Sequence, residues 1–309
     1  MIDTNYTGQV DLLLSILPIV AKEKLFALKG GTAINLFVRE MPRLSVDIDL
    51  TYTPVADNRE TALINIAAAL NRIDADVKKA IPGISITHVP FGQGDDVKLN
   101  CQTPAAYVKI EVNTITRGVI MPVRMIPVAD VVQEAYRKFA AINVVAHGEL
   151  YGGKICAALD RQHPRDLFDV YHLFQNEGFS EEIKLGFMIF LLSHFRSMSE
   201  LIDPHLLDQK QTFETQFRGM TATHFDYVTF EETRTRLISE IRTCLTDTDK
   251  QFLLSFKRGE PQWELFPFRE LKDLPAVKWK LQNIQTLKEQ NPQKHAALYN
   301  ALAGKLNRH

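Results

Sequence analysis

The chain has 309 residues, 45% of them hydrophobic and 24% charged, enough for two cored domains. A net charge of −1 at pH 7 excludes whole-surface attraction to nucleic acid, so any such contact must come from a local patch. Cys101, Cys156 and Cys244 form no CxxC pair and no disulfide framework, and the N-terminus has no basic or apolar leader. The longest apolar run, 185–192, is too short to span a bilayer, so a cytoplasmic protein without a membrane partner is expected.

Residues 9–24 put Val10, Leu13, Leu14 and Leu17 on one helical face, with Pro18 kinking or ending the first part. LFALKGG (25–31) reads as a short strand entering a glycine turn. TAINLFVRE (32–40) reads as a helix with Asn35 and Arg39 off its apolar stripe. A loop with Arg39 and Arg43 leads to the strand SVDIDLTY (45–52), closed by Thr53-Pro54. Asp57 or Asn58 caps a helix over 59–80, whose core face is Leu63, Ile66, Leu70, Ile73 and Val77. ISITHV and VKLNCQT are strands joined by the hairpin turn FGQGDD. In AYVKIEVNTI, Val108, Ile110 and Val112 line one face, and Lys109, Glu111 and Asn113 the other.

From Val131 onward the periodicity predicts helices over 130–140, 148–162, 164–176, 181–198, 230–245, 249–257 and 276–288. Segment 202–228 has no readable period. The expected fold is therefore α+β. Residues 1–125 form a domain with a small mixed, mostly antiparallel sheet, and 126–309 an all-α domain, with a soft border through 125–146.

Asp47 and Asp49 alternate on one strand face, where side-by-side carboxylates repel unless a cation sits between them. Glu111 lies on the polar face of a later strand. If the strands are neighbours, three carboxylates converge into a site for hard Mg²⁺, which leaves coordination positions for phosphate oxygens. Two such ions activate a hydroxyl and neutralise a leaving pyrophosphate. The same DxD also fits an exposed edge strand with solvated acids. Gly30-Gly31-Thr32 is neither a P-loop nor GxGxxG, yet it lets a phosphate approach the backbone, with Thr32 donating as an N-cap would. Ordinary strand-to-helix turn chemistry fits it equally.

In YGGKICAALDRQHPRDLFDVYHL (151–173), Lys154 and Arg161 share a helix flank and Pro164 suits the first turn of the next helix. The two cations suit triphosphate oxygens, with Asp166 or Asp169 orienting them. A solvated face with an Arg165–Asp169 pair is the plain alternative. His147, His163 and His172 lack zincin spacing, and His163 before Pro164 reads as a cap. The tail 277–309 holds Lys278, Lys280, Lys288, Lys294, Lys305 and Arg308 against Glu289 alone. It is a candidate contact for a nucleic-acid backbone or a solvated face.

Together, KGGTAINLF…RLSVDIDLTY and GGKICAALDRQHPRDLFDVYHL resemble the AbiEii/AbiGii-type nucleotidyltransferases of the polymerase-β-like superfamily. The stretch RGEPQWELFPFRELKDLPAVKWKLQNIQTL is similar to a family C-terminus, and 202–228 is not covered by the likeness. The resemblance implies a polymerase-β-like catalytic domain at 1–125 and a helical domain at 126–309 that adds nucleotide and acceptor contacts. It implies Asp47, Asp49 and Glu111 as metal ligands, with Lys154 and Asp166 as further catalytic residues. Gly30, Gly31, Thr32, Arg161, Arg165 and Asp169 would contact the nucleotide. Thr32 stands where the family often has serine, and Lys109 to Arg117 stands for its intermediate lysine-to-arginine motif. The implied chemistry is transfer of NMP from an NTP to a hydroxyl, with Mg²⁺ or Mn²⁺. The implied acceptor is RNA such as a tRNA acceptor end. The implied setting is the toxin of a toxin–antitoxin or phage-defence pair with a cognate antitoxin. Transfer to a protein hydroxyl, or a vestigial site in a partner-binding module, are the alternatives.

Overall fold

The computed structural model of the chain describes residues 4–90 and 96–307. It divides into two units: Met1–Ala146 with Arg218–His224, and His147–Phe217 with Phe225–His309.

The first unit opens with α1 (Thr4–Val20), β1 (Phe26–Lys29), a helical turn α2 (Gly30–Thr32) that runs on as a π-helix Ala33–Val38, and β2 (Asp47–Tyr52). It continues with α3 (Arg59–Ala80), β3 (Ser85–Pro90), β4 (Asp96–Gln102), β5 (Tyr107–Asn113), β6 (Arg124–Pro127), α4 (Asp130–Tyr136) and β7 (Ala141–Val144). Asn58, rather than Asp57, caps α3 by accepting from the Thr61 N–H at 2.9 Å. Asp57 instead accepts from the Tyr52 hydroxyl. The expected FGQGDD turn spans 91–96, of which 91–95 lie outside the described residues and Asp96 opens β4.

The seven strands form one sheet in the order β3-β4-β5-β2-β1-β7-β6. It is mixed but mostly antiparallel: only β2–β5 and β1–β7 pair in parallel. Its apolar face carries Leu28, Ile48, Leu50, Leu99, Ile110 and Val112, all buried, and α1 and α3 pack on the sheet. Strand alternation then turns Asp47, Asp49, Lys109 and Glu111 to the opposite face.

Two helix expectations are corrected here. The helix expected over 32–40 begins two residues earlier and is largely π-wound. The helix expected over 130–140 stops at Tyr136, where Arg137 adopts a left-handed conformation with φ 52°. The chain then becomes β7, whose alternate Ile142 and Val144 are buried, a period of two rather than 3.6. Strand β6 straddles residue 125 and β7 lies beyond it, both in the sheet, and the first unit reaches Ala146, the far end of the soft border.

The second unit is helical throughout its described residues. It holds α5 (His147–Arg161), α6 (Pro164–Gln175), α7 (Glu181–Ser193), α8 (Met198–Ile202), α9 (Lys210–Gln216), α10 (Tyr227–Cys244) and α11 (Asp247–Arg258). Two 3-10 turns, Trp263–Leu265 and Arg269–Asp273, precede α12 (Pro275–Gln290) and α13 (Pro292–Leu306). The helix expected over 181–198 breaks after Ser193 and resumes at Met198, where Ser197 caps α8.

Helices α5 and α7 cross with backbone against backbone. A Cβ on Gly152 would lie 2.2 Å from the Gly186 carbonyl carbon, and one on Gly186 would lie 1.8 Å from the Gly148 oxygen. No side chain fits at either position, so the seam of α5 on α7 is set by glycine. Beside it, the Lys280 ammonium from α12 donates to the carbonyls of Leu191, His194 and Arg196 at 2.9, 2.8 and 2.9 Å, closing the end of α7.

Most of the basic tail is neutralised internally. Lys278 pairs with Asp273, Lys288 with Glu260, and Lys305 with Asp203, while Lys280 is spent on the carbonyls of α7 and its flank. The tail therefore presents far less free positive charge than its composition suggests.

Candidate active site

The acidic strand β2 is built into the sheet by register. Opposite Asp49 stand Lys29 of β1 and Glu111 of β5, and opposite Glu111 stands Lys98 of β4. One rung of the polar face therefore reads Lys29, Asp49, Glu111, Lys98. The next rung sets Asp47 against Lys109. Like charges directly opposite destabilise a sheet, and here the flanking lysines offset Asp49 against Glu111.

Lys109 is the central counter-charge. Its ammonium lies 2.9 Å from Glu111 Oε2 and 3.9 Å from Asp47 Oδ2, while Lys98 reaches Glu111 Oε1 at 3.4 Å. Burial alone would lower the Lys109 pKa. The bond to Glu111 and the charges of Asp47, Glu111 and Asp49 outweigh it and hold the ammonium above the ordinary lysine value. Burial likewise pushes Glu111 up, but Lys109 and Lys98 pull it below the ordinary glutamate value. The two strands are neighbours, as that reading required, and the three acids share one sheet face with lysines already between them. Sequence alternation in VKIEVN placed Lys109 on the right face but did not show it as the resident cation.

The turn before β2 packs directly on this row. Gly30 has φ +74°, and a Cβ there would lie 2.6 Å from Asp49 Oδ2. A Cβ on Gly31 would lie 2.8 Å from the Arg43 guanidinium and 2.9 Å from Ser45 Oγ. The protein's own side chains therefore account for both glycines. Thr32 is fully buried; its hydroxyl donates to the Asp47 carbonyl and lies 3.1 Å from Ser45 Oγ. The turn thereby fixes the backbone of Asp47 and abuts the carboxylate of Asp49. Gly30→Ala is expected to cost at least about 1 kcal/mol from its left-handed φ alone. It should also displace Asp49, so both the melting temperature and nucleotide transfer fall; a variant that melts and transfers like the parent would contradict this.

The donor set fits a hard divalent cation: carboxylate oxygens on one face, two of them alternate on one strand. Among the described residues no group of three His, Cys, Asp or Glu side chains is placed to hold a metal ion.

The second constellation lies in the helical unit. Pro164 starts α6 and His163 caps it by accepting from the Arg165 N–H at 3.1 Å, as its position suggested. Asp166 and Asp169 point inward, each 1% exposed. Lys154 of α5, itself buried, lies 2.7 Å from Asp166 Oδ1 and 3.0 Å from Asp169 Oδ2. Arg161 holds Asp166 with both arms, Nε to Oδ2 at 2.6 Å and a terminal nitrogen to Oδ1 at 3.0 Å. Asp169, which also fitted a solvated face, is instead buried and bonded to Lys154. Burial would raise the Asp166 pKa; Lys154 and Arg161 reverse that and hold it well below the ordinary aspartate value. The Arg161 side chain is 59% exposed, so it is the cation of this group that meets solvent.

Next to Arg161, Gln162 is buried and left-handed at φ 49°. Its amide donates to the His205 carbonyl at 2.7 Å and accepts from the Leu207 N–H at 2.9 Å and from Arg234 at 3.0 Å. Sequence pattern gave no signal for it, because these partners lie in or beyond the unreadable segment 202–228.

A profile of the family described as "Nucleotidyl transferase AbiEii toxin, Type IV TA system" matches residues 11–283. That span includes 202–228, which the motif resemblance leaves out. Among solved structures, the chain is similar to MenT4, a nucleotidyltransferase toxin from Mycobacterium tuberculosis H37Rv. The TM-score is 0.59 and the identity 14%, over 91% of this chain and 93% of that one. At that identity the likeness shows a shared fold. No curated protein matches.

Proposed function

The chain belongs to the AbiEii nucleotidyl transferase toxin family of type IV toxin–antitoxin systems, and from that premise we propose how its residues share the work. The reaction is transfer of NMP from an NTP to an acceptor hydroxyl, with RNA such as a tRNA acceptor end as the acceptor. The observation that carries this reading is the row of Asp47, Asp49 and Glu111 on one sheet face with the glycine turn packed against Asp49.

Asp47 and Asp49 hold Mg²⁺, or Mn²⁺ in its place, and Glu111 is the third acid. Once bound, the ion neutralises charge on the α-phosphate and the departing pyrophosphate and favours the ionised acceptor hydroxyl. Lys109 and Lys98 hold the Glu111 pKa below the ordinary glutamate value, so it stays ionised as that third acid, and the hydroxyl proton leaves to solvent. The turn at Gly30, Gly31 and Thr32 bounds the triphosphate, with Thr32 holding the Asp47 backbone in place. In the helical unit, Lys154, itself bonded to Asp169, holds Asp166, and Asp166 aims Arg161. Arg161, with Arg165 beside it, then contacts phosphate oxygens through a planar fork suited to them.

A type IV system implies a cognate antitoxin as a separate chain. Among the described residues no helix is long and apolar enough to cross a membrane.

The test is to incubate the protein with each α-labelled NTP and either total RNA or lysate protein, with Mg²⁺ and with Mn²⁺. Label is expected in the RNA fraction, with one NTP preferred. Label confined to protein would move the acceptor to a protein hydroxyl, and no label from any NTP would overturn the proposed transfer.

A further inference from the structure

The segment 218–224 interrupts the helical unit in sequence and belongs to the sheet unit. It is bounded by Phe217 and Phe225, both buried, whose ring centroids lie 5.3 and 5.2 Å from that of Phe168. Between these anchors the chain meets the loop that precedes β2. The Leu44 N–H donates to the Met220 carbonyl at 3.0 Å, and the Thr221 hydroxyl donates to the Pro42 carbonyl at 2.7 Å. Arg43 and Thr221 form an isolated antiparallel bridge. The Thr223 N–H donates to the Thr221 hydroxyl at 2.9 Å, which orients it toward Pro42.

Both bonds therefore end on the residues flanking Arg43. That side chain is 4% exposed, donates to the Leu44 carbonyl at 2.9 Å, and covers the α-carbon of Gly31 closely enough to exclude a Cβ. Ser45, next along, touches Thr32. A chain of direct contacts thus runs from Met220 and Thr221 through Pro42, Arg43 and Leu44 to the glycine turn beside Asp49.

We propose that 218–224 is a positioning strap: it seats Arg43 against Gly31 and so holds the glycine turn in the conformation that receives the nucleotide. Thr221 and Arg43 act through the turn rather than on the substrate. The functional half of this rests on the turn bounding the nucleotide, as proposed above. The loop bearing Arg43 leaves a π-wound helix with Met41 at φ 54°, a conformation that non-glycine residues adopt only when their surroundings hold them. The Met41 N–H donates to the Asn35 carbonyl at 2.8 Å, and the strap holds the next residue, Pro42.

The test compares Thr221→Val, which keeps shape but removes the hydroxyl's bonds to Pro42 and Thr223, with Thr221→Ser, which keeps them. Hydrogen exchange is followed in peptides covering residues 29–45, and affinity is measured for methylanthraniloyl-labelled ATP, GTP, CTP and UTP with Mg²⁺. In Thr221→Val, exchange at 30–34 is expected to speed up and nucleotide affinity to fall about fivefold, as loss of one net hydrogen bond gives. Thr221→Ser should restore both. A melting point that drops while exchange at the turn stays unchanged would overturn the strap. Faster exchange with undiminished affinity would overturn its link to nucleotide binding. If the parent protein binds none of the four nucleotides, the nucleotide reading of the turn fails, and the exchange comparison alone upholds or overturns the strap.

Discussion

Asp47→Ala and Asp49→Ala are each expected to lower label transfer from α-labelled NTP by about a hundredfold to a thousandfold or more, while the protein stays folded. The size follows from removing a group that supports charge developing in the transition state. Retained folding follows from the structure. The Thr32 hydroxyl bonds the Asp47 main-chain carbonyl, which alanine keeps, and Lys109 retains Glu111 at 2.9 Å when Asp47 is cut back. Removing Asp49 also relieves its opposition to Glu111 in the neighbouring strand. Circular dichroism with a melting curve checks the fold, and four-NTP labelling checks the activity. Undiminished transfer in either variant would remove that aspartate from the mechanism.

Lys154→Met destabilises the helical unit by about 3–5 kcal/mol near neutral pH, the usual cost of stripping one partner from a buried ion pair. Methionine matches the lysine stem in volume, so the effect is electrostatic: Asp169 loses its bond at 3.0 Å, and Asp166 keeps only Arg161. The pH dependence has a definite sign. The Asp166 pKa is depressed in the folded state, so its contribution is present above the ordinary aspartate value and is lost as pH falls below it. The gap between parent and variant should therefore narrow as pH drops below about 4, where the unfolded carboxylates protonate. Urea unfolding at pH 7 and at the lowest pH the parent tolerates measures it. A gap that is small at pH 7, or that widens in acid, would show that Lys154 does not pay the desolvation of these acids.

Local periodicity made the strongest part of the fold legible. Asn58 before a helix with Leu63, Ile66, Leu70, Ile73 and Val77 at helical spacing is strong in any context, and α3 starts and ends where that pattern does. Strands β2 and β5 were equally plain, because DIDLTY and YVKIEVN alternate cleanly. What alternation cannot carry is register. That Asp49 lies opposite Glu111, and Asp47 opposite Lys109, depends on how two distant strands align. The π-winding of Ala33–Val38 was hidden because its apolar stripe fits an ordinary helix equally well. Segment 202–228 stayed opaque because nonlocal partners hold it: Gln162, Phe168 and the Arg43 loop. The basic tail stayed open between two readings because the acids that pair with it, Asp203, Glu260 and Asp273, precede it in sequence.

The interleaving of 218–224 with the sheet unit also has a meaning in time. A ribosome makes all seven strands before it makes this segment. At roughly 5–20 residues per second, residues 147–224 take on the order of ten seconds more. During that interval the nascent sheet carries its acids, but Pro42 and Leu44 lack the partners that Thr221 and Met220 later bring. A protein belonging to a toxin family thus finishes the loop beside its acidic row late in its own synthesis.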